Sequence, residues 1–365
     1  MGGGMPDISI VVPTFREAEN LRELYSRVVA VMGTASWEII FVDDDSTDGT
    51  ADLARALSAQ DPRIRCLQRI GRRGLSTAVV EGALSSSASL IAVMDADLQH
   101  DESILPEMIQ ELRSRDLDVV VGSRYVGGGS TGDWVESRRK ISAFAGRLAR
   151  GLVPETLRDP MSGFFVMKAD TFRQAVRQLS GYGYKILLDL FVSAGRPLRF
   201  AEVPYTFKPR AHGESKLDSL VAWEYLMLLV DKRIGHIIKP RLLFFLMVGG
   251  SGVAVHYLTL TVLFLGLGVA FPVAQLAGTV LSMTSNFFLN NLFTYRDQRL
   301  SGGRLIRGLL SFYAVCGLGA MANIGIAAYA FSKHLEWALS ALAGIIVGTL
   351  WNYLATARFT WGSRQ

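Results

Sequence analysis

The chain has 365 residues, enough for two domains, and a formal net charge of +5, and hydrophobic residues make up 50% of it. Its two cysteines, Cys66 and Cys316, fall in different halves, which argues against a disulfide-stapled secreted fold. We expect no signal peptide, because residues 1–7 are glycine-rich and lack an apolar segment.

The first elements alternate between strand and helix patterns. Ile8–Val12 predicts a strand, helical spacing begins at Leu21, and Glu38–Val42 predicts a second strand. No hairpin turn separates the two strands, which indicates a right-handed parallel strand–helix–strand unit. The second strand runs into an acidic loop, Asp43–Ser46. We therefore expect an α/β, Rossmann-like domain with a mostly parallel sheet.

A second acidic cluster follows the apolar segment Leu90–Met94, which predicts a buried strand of the same sheet. Asp95 and Asp97 come directly after it. Open α/β sheets bind ligands at the carboxyl ends of their strands, and a hard ion such as Mg²⁺ or Mn²⁺ would relieve the repulsion between two carboxylates there. A solvated acidic turn is the alternative. Two acidic strand ends in consecutive units favour a site for a sugar nucleotide and its metal ion.

Six short motifs occur in a fixed order along the N-terminal part. They are Val12–Glu17, Asp43–Ser46, Asp95–His100, Gly122–Tyr125, Asp159–Phe165 and Arg210–Lys216. The set resembles the family 2 glycosyltransferases of GT-A fold, and its last three motifs resemble the polyprenol-phosphate (dolichol-phosphate) mannose synthase branch. The resemblance covers about residues 8–236 and rests on the ordered set, since any single motif is common. We find no Gln-x-x-Arg-Trp segment after Asp97, which disfavours processive polysaccharide synthases.

The resemblance implies roles for particular residues. Those of the nucleotide-sugar site are Pro13, Phe15, Glu17, Asp43, Asp45, Asp95, Ala96, Asp97, Arg210 and Lys216. The metal ligands are Asp95, Asp97 and Gln99, and the acceptor-phosphate residues are Arg124, Arg138 and Ser142. The catalytic residues are Asp97, Arg124, Arg138 and Arg210. Phe15 stands where many members have Tyr, so a hydroxyl contact is lost. For Arg210 and Lys216, a solvated basic loop is the alternative.

The implied acceptor explains why no general base is evident. A phosphate monoester has a second pKa of about 6, so it is largely dianionic at neutral pH and is already a nucleophile. We therefore interpret His100 and His212 as local hydrogen-bonding residues. The planar fork of arginine matches phosphate oxygens, in agreement with Arg124 and Arg138. Attack without a covalent enzyme intermediate implies inversion at the anomeric carbon.

Two segments are candidates for contact with a membrane surface. Residues 141–152 place apolar residues at helical spacing with arginines on the other faces, as in a basic amphipathic helix at an anionic interface. An ordinary core-facing helix is the alternative. Residues 217–240 are more apolar, contain Trp223 and Tyr225, and end in cations. They predict an interfacial helix before the first membrane span.

The C-terminal part has the composition of a membrane domain. Residues 242–295 contain no Asp, Glu, Lys or Arg, a length of ~54 residues against the ~20 that one spanning helix needs. Four spans are predicted, at about residues 242–269, 271–293, 308–331 and 337–357. Lys and Arg concentrate on one side of them, so the positive-inside rule places the catalytic domain and both termini in the cytoplasm.

The predicted spans form two copies of one hairpin. Phe245-x-x-Val-x-Gly-x-Gly252 repeats as Phe312-x-x-Val-x-Gly-x-Gly319, and Asn286-Phe repeats as Asn352-Tyr. Such parallel repeats relate by an axis along the membrane normal, and the module resembles the four-helix GtrA-like proteins. Six polar side chains at membrane depth either hold a lipid phosphate or bond helix to helix. They are His256, Asn286, Asn290, Asn291, Asn323 and Asn352.

The sequence thus predicts three regions. They are a GT-A glycosyltransferase domain at residues 1–216, an interfacial amphipathic helix at 217–240, and a transmembrane domain at 241–365 with hairpins at about 242–296 and 308–361. The expected reaction is inverting, Mg²⁺- or Mn²⁺-dependent transfer of mannose from GDP-mannose to a polyprenyl (dolichyl or undecaprenyl) phosphate. A UDP-sugar donor of glucose type, and a module that loads or flips a lipid-linked sugar, are the alternatives. We expect no nucleic-acid partner.

Overall fold

The computed structural model describes residues 5–132, 146–149, 151–181, 183–209, 219–235 and 238–362. The chain divides into two compact units, Met1–Arg233 and Ile234–Gln365. The basic segment at 141–152 is described only in part, and the loop from Arg210 to Lys216 lies outside the described residues.

The N-terminal unit contains a seven-stranded sheet. Its strands are β1 Ile8–Thr14, β2 Trp37–Asp43, β3 Ile64–Gln68, β4 Leu90–Val93, β5 Val119–Ser123, β6 Phe165–Lys168 and β7 Phe200–Pro204, in the order β3-β2-β1-β4-β6-β5-β7. Strand β6 runs antiparallel to β4 and β5, and the other paired strands are parallel. The predicted GT-A, mostly parallel α/β fold is confirmed.

Helices cover both faces of this sheet. They are α1 Ala18–Met32, α2 Thr50–Gln60, α3 Leu75–Leu84, α4 Leu105–Ser114, α5 Ala169–Ala175 and α6 Ile186–Ser193. Apolar residues of α1, α2 and α4 form one buried cluster with the sheet, and those of α3, α5 and α6 form a second. A strand that is buried on both faces has a nearly continuous apolar sequence. The sequence therefore predicts β1, β2 and β4 without the alternation of a half-exposed strand. Helix α3 lies close to β1 at Gly82, where a Cβ would come within 2.5 Å of Val11 Cγ1.

Helix α7, Ser219–Ile234, packs on the N-terminal unit. Its buried residues Tyr225, Leu228 and Leu229 contact a cluster that contains Ala149, Met161 and Leu188. Near its end the Lys232 ammonium lies 2.7 Å from the Asp189 carboxylate, and both side chains are buried. A helix is therefore present within the predicted range 217–240, over Ser219–Ile234, and it has a core-facing side. Its place at a membrane interface stays a prediction.

The C-terminal unit is built from long apolar helices. They are α8 Pro240–Leu260, α9 Phe271–Leu289, α10 Gly303–Ser332 and α11 Trp337–Ala355. Within the described residues, two helical segments are long and apolar enough to cross a membrane, Pro240–Gly266 and Gly303–Ala330. The number of membrane spans, four in the sequence analysis, stays a prediction.

The two hairpins of this unit have equivalent contacts. Gly252 of α8 faces the Asn286 amide of α9, and Gly319 of α10 faces the Asn352 amide of α11. Both second helices continue into one π-helical turn, Asn290–Thr294 and Thr356–Thr360. The repeat read in the sequence therefore corresponds to a repeat of packing.

Candidate active site

Three adjacent parallel strands, β2, β1 and β4, end at the same edge of the sheet. The loops that follow them carry the first three motifs, so the structure brings together the residues 13–17, 43–46 and 95–100. One residue in each loop has left-handed backbone, Arg16 at φ 58°, Asp45 at φ 57° and Leu98 at φ 61°. Non-glycine residues adopt this conformation mainly where surrounding contacts enforce it, which is typical of ligand sites.

Asp43 joins the loops after β1 and β2. Its carboxylate is fully buried and accepts hydrogen bonds from Thr14 Oγ1 at 3.2 Å, from Ser46 Oγ at 2.6 Å and from the Ser46 backbone N–H at 2.9 Å. Ser46 Oγ in turn accepts the Arg16 backbone N–H at 2.9 Å. Asp43 thus fixes the shape of the loops, and its predicted contact with a nucleoside stays a prediction.

A buried ion pair that sequence reasoning missed supports the same loop. Arg69, which follows β3, donates to the Asp44 carboxylate at 2.6 Å, and both side chains are almost fully buried. The other Asp44 oxygen accepts the Gly74 backbone N–H at 2.7 Å. Burial raises the pKa of the Asp44 carboxyl above its ordinary value, although the Gly74 N–H and Arg69 act to lower it. The only signal in the sequence was the basic, glycine-rich segment beside Arg69, which pattern alone does not assign to a partner.

Phe15 and its cationic neighbours form one wall of this edge. The guanidinium carbon of Arg73 lies 4.3 Å from the centroid of the Phe15 ring, and that of Arg16 lies 5.3 Å from it. Asp45 Oδ2 accepts the Gly71 backbone N–H at 3.2 Å, and Glu17 Oε2 accepts from the Asn20 amide at 2.7 Å. The wall therefore offers aromatic, cationic and acidic groups close together, a combination that suits a nucleotide.

Asp95 and Asp97 follow β4 at the centre of the edge. Asp97 is 6% exposed and its Oδ1 accepts the Gln99 backbone N–H at 3.1 Å. The Asp95 backbone N–H donates to His100 Nδ1 at 3.1 Å, and His100 Nε2 lies 3.7 Å from Asp95 Oδ2. His100 is buried and stacked on Phe164, and burial lowers its pKa to about 4. The imidazole is therefore neutral at neutral pH and orients Asp95, in agreement with its interpretation as a local hydrogen-bonding residue.

The carboxylates fit a hard divalent ion that keeps several non-protein ligands. Across the part of the chain that the structure describes, no three His, Cys, Asp or Glu side chains converge. Asp95 and Asp97 would thus supply two ligands, and substrate phosphates and water the rest, as is usual for Mg²⁺. Gln99 donates its amide N–H to the Lys208 carbonyl at 3.1 Å, which directs its nitrogen away from a cation. The neutral His100 adds no competing positive charge.

Arg124 and Asp159 form a second buried pair and bring the fourth and fifth motifs together. Asp159 accepts from Arg124 Nε at 2.8 Å, from Nη2 at 2.7 Å and from its backbone N–H at 3.1 Å. Ser162 Oγ, in the same loop, donates to the Gly122 carbonyl at 2.7 Å. Burial by itself lowers the pKa of Arg124. The hydrogen bonds to Asp159 and its negative charge outweigh this effect, so the pKa of Arg124 is raised above its ordinary value. One edge of the Arg124 guanidinium, formed by Nε and Nη2, is thus used within the fold, and the role of Arg124 toward the acceptor phosphate stays a prediction.

Four predicted site residues cannot be placed on this framework. Arg138, Ser142, Arg210 and Lys216 lie outside the described residues. The described residues before this loop end at Pro209. The Lys208 backbone N–H donates to the Gln99 carbonyl at 2.9 Å, and the Lys208 ammonium lies 3.1 Å from the Asp101 carboxylate. The segment that leads into the predicted basic loop is therefore bound to the loop of Asp95 and Asp97.

This fold and edge define a glycosyltransferase domain joined to a membrane domain. The chain belongs to glycosyl transferase family 2, whose model matches residues 9–175, and the GtrA/DPMS transmembrane domain matches residues 244–361. The predicted enzyme class and membrane module are confirmed, and the protein is associated with membranes.

Named relatives share most of the chain. It is 34% identical to the dolichol-phosphate mannosyltransferase of Pyrococcus furiosus over 363 residues, which covers 98% of this chain and 99% of that one. It is 40% identical to the dolichol-phosphate mannosyltransferase of Mycosarcoma maydis over 62% of this chain and 79% of the relative. It is 33% identical to the undecaprenyl-phosphate mannosyltransferase of Micrococcus luteus over 59% of this chain and 88% of the relative.

Proposed function

We propose that this enzyme transfers mannose from GDP-mannose to a membrane polyprenyl phosphate and inverts the anomeric configuration. The observation that carries the proposal is the similarity to the Pyrococcus furiosus dolichol-phosphate mannosyltransferase, which runs through both the sheet domain and the membrane domain. The Micrococcus luteus relative, named for an undecaprenyl phosphate, supports a polyprenyl phosphate as the acceptor class and leaves chain length and saturation open.

In this proposal the edge of the sheet binds the donor. The wall around Phe15, with Pro13, Glu17, Asp43 and Asp45, would hold the nucleoside. Asp95, Ala96 and Asp97 would lie against the diphosphate, with Asp95 and Asp97 as carboxylate ligands and Gln99 as a weaker oxygen ligand of Mg²⁺ or Mn²⁺. The metal ion would neutralise the charge that develops on the departing diphosphate.

Basic and polar side chains of the protein would bind the two phosphate groups that react. Arg210 and Lys216 would bind the donor diphosphate, and Arg124, Arg138 and Ser142 would bind and align the acceptor phosphate for in-line attack. The dianionic phosphate attacks without a general base. The state of His100 supports this assignment, because its Nδ1 already accepts the Asp95 backbone N–H and is not available to remove a proton.

The membrane unit would hold the catalytic domain at the bilayer. We propose four spans with both termini in the cytoplasm. The support is the clustering of Lys and Arg on one side of the apolar segments, together with the match to the GtrA/DPMS transmembrane domain.

The donor assignment is tested by competing substrates on the purified full-length enzyme. Phosphate contacts do not distinguish GDP from UDP, so selection has to come from hydrogen bonds to the base edge in the pocket around Phe15. With polyprenyl phosphate and Mg²⁺, we expect kcat/KM for GDP-mannose to exceed that for UDP-glucose by at least ~100-fold. Omission of the divalent ion, with chelator present, should remove activity. A preference for any UDP-sugar would refute the mannose assignment and leave transfer to a polyprenyl phosphate standing.

A further inference from the structure

A cavity of about 450 Å³ lies between the two hairpins of the membrane unit. All four helices line it, with Phe245 from α8, Asn286 from α9, Phe312 from α10 and Asn352 from α11 among its walls. Its lining residues all fall within residues 245–352 of the described chain, and none of them carries a charge. The volume is in the range of small-molecule sites, which are mostly apolar with a few placed polar groups.

Three asparagines that line this cavity have a buried amide oxygen without a hydrogen-bond partner. The Oδ1 atoms of Asn286, Asn290 and Asn352 are buried and have no hydrogen-bond partner. Asn290 is only 2% exposed and lines the cavity. A buried amide oxygen without a partner costs folding free energy, so each such group calls for an explanation by what it binds.

The neighbouring Asn291 shows what a purely structural asparagine looks like in this fold. Its Nδ2 donates to the Leu300 carbonyl at 3.1 Å, and its Oδ1 accepts from the Leu300 backbone N–H at 2.8 Å and from Trp361 Nε1 at 3.0 Å. All of these bonds join parts of the same unit. Asn290 lacks an equivalent oxygen partner although it is buried to the same degree.

Both copies of the repeat are shaped to admit these amides. A Cβ at Gly252 would come within 2.5 Å of the Asn286 amide, and one at Gly319 would overlap the Asn352 amide oxygen. Glycine is thus required opposite each asparagine. Each hairpin therefore packs its own asparagine against its own glycine, and both asparagines are among the residues that line the shared cavity.

The chemistry of the lining selects the ligand class. An amide pairs a carbonyl acceptor with an N–H donor, which matches a hydroxyl group in both directions. A phosphate would bring an anion into a lining without any cation, which is strongly unfavourable in an apolar environment. We infer that this cavity binds an uncharged, hydroxyl-bearing headgroup, a hexose unit of a membrane glycolipid, through Asn286, Asn290 and Asn352. The inference rests on the proposed function only for the choice of mannose as the probe.

The test uses photo-crosslinking on the full-length protein in phosphatidylcholine nanodiscs, without nucleotide-sugar. A diazirine-bearing alkyl β-mannoside should label peptides that contain Asn286–Asn290 and Ile345–Asn352. Excess unlabelled alkyl mannoside should suppress this labelling, whereas an alkyl alcohol or alkyl phosphate of the same chain length should not. Equal suppression by the alcohol would show that an apolar chain fills the cavity, and stronger suppression by the phosphate would show an anion site. Either result overturns the inference.

Two variants separate a ligand contact from a structural bond. Asn290→Leu should reduce specific crosslinking by roughly 5-fold, the effect of one lost neutral hydrogen bond, without a lower Tm. Asn291→Leu should lower the Tm and leave crosslinking of the folded protein intact. If Asn290→Leu lowers the Tm as much as Asn291→Leu does, its amide is structural and the inference fails. Because no turnover is measured, the result does not depend on catalysis or on the nucleotide of the donor. Repeating the labelling with an alkyl β-glucoside separates a wrong choice of sugar from a failed inference, because absence of label with both probes overturns it.

Discussion

Asp95 and Asp97 are one residue apart but lie in different surroundings. The Asp95 side chain is 34% exposed beside His100, whereas Asp97 is 6% exposed within the turn that it helps to fix. Between them and Gln99, Leu98 adopts left-handed backbone that local sequence does not favour. The surrounding loops hold this conformation, so the turn presents the two carboxylates before any ligand arrives.

Asp97→Asn should abolish transfer without unfolding the protein, because it removes one negative ligand of the proposed metal ion and keeps the side-chain shape. We expect kcat to fall by at least ~100-fold, measured with GDP-mannose and polyprenyl phosphate at saturating Mg²⁺, while the Tm is not lowered. Glu107→Gln on the exposed side of α4 is the matched control and should keep full activity. Wild-type rates for Asp97→Asn would end the metal-site assignment.

Asp159→Asn should destabilise the N-terminal unit because it leaves the buried Arg124 guanidinium without its anion. Loss of one partner of a buried pair typically costs about 3–5 kcal/mol, which urea unfolding followed by tryptophan fluorescence would measure. The pair between Asp170 and Arg173 is largely exposed, so Asp170→Asn should cost about 0–1 kcal/mol. Similar costs for the two variants would show that the Arg124–Asp159 pair does not support the fold.

At the scale of elements, the antiparallel strand β6 joins the two halves of the sheet. Phe165 pairs with Val93 of β4 on one side and with Val121 of β5 on the other. The loop before β6 therefore lies beside the ends of β4 and β5, which places Asp159 against Arg124 and Gly163 within reach of Asp95. A parallel strand in this position would deliver that loop to the opposite edge.

Asp118 ties the starts of β5 and β7 and should make stability depend on acid pH. Its carboxylate accepts hydrogen bonds from the Arg196 guanidinium at 2.8 Å and from the Arg199 backbone N–H at 2.8 Å. Hydrogen bonds from Arg196 outweigh the opposing effect of burial and hold the pKa of Asp118 at about 2, below its ordinary value of 3.8. A depressed carboxyl pKa contributes stability that is present above about pH 4 and lost as pH falls through about 2.

Asp118→Asn should therefore flatten the dependence of Tm on pH between about 4 and 2 and lower the Tm at neutral pH. Differential scanning fluorimetry across this range would measure both effects. Asp170→Asn serves again as the exposed control and should keep the wild-type slope. An unchanged slope in Asp118→Asn would show that this carboxylate is not what acid titrates in the folded protein.

At the scale of the whole molecule, the six motifs and their core lie within one compact unit, residues 1–233. Its hydrophobic clusters are formed by residues of that unit, including the buried side of α7. Such a unit has what it needs to fold by itself. In the proposed function, the membrane unit would then hold the enzyme at its lipid substrate.

A fragment of residues 1–238 should therefore unfold cooperatively and transfer mannose to polyprenyl phosphate in detergent. We expect the main loss to appear in KM for the lipid, since anchoring raises the effective concentration of the acceptor. The full-length enzyme in the same detergent is the reference. A folded fragment with no transfer would favour the alternative in which the membrane unit takes a direct part in loading the lipid-linked sugar.

The sequence by itself determined the class of the fold, the apolar half, the repeat and the glycosyltransferase family. These follow from hydrophobic period, from local charge and from motifs whose residues are neighbours in the chain. The tertiary structure alone decided which of these residues meet. Arg69 pairs with Asp44 across 25 residues and Arg124 with Asp159 across 35, and the Asn286 and Asn352 amides come from different hairpins. These contacts are strong because they are buried. Whether a residue is buried depends on how segments distant in the chain pack together, and a local sequence pattern does not encode that packing.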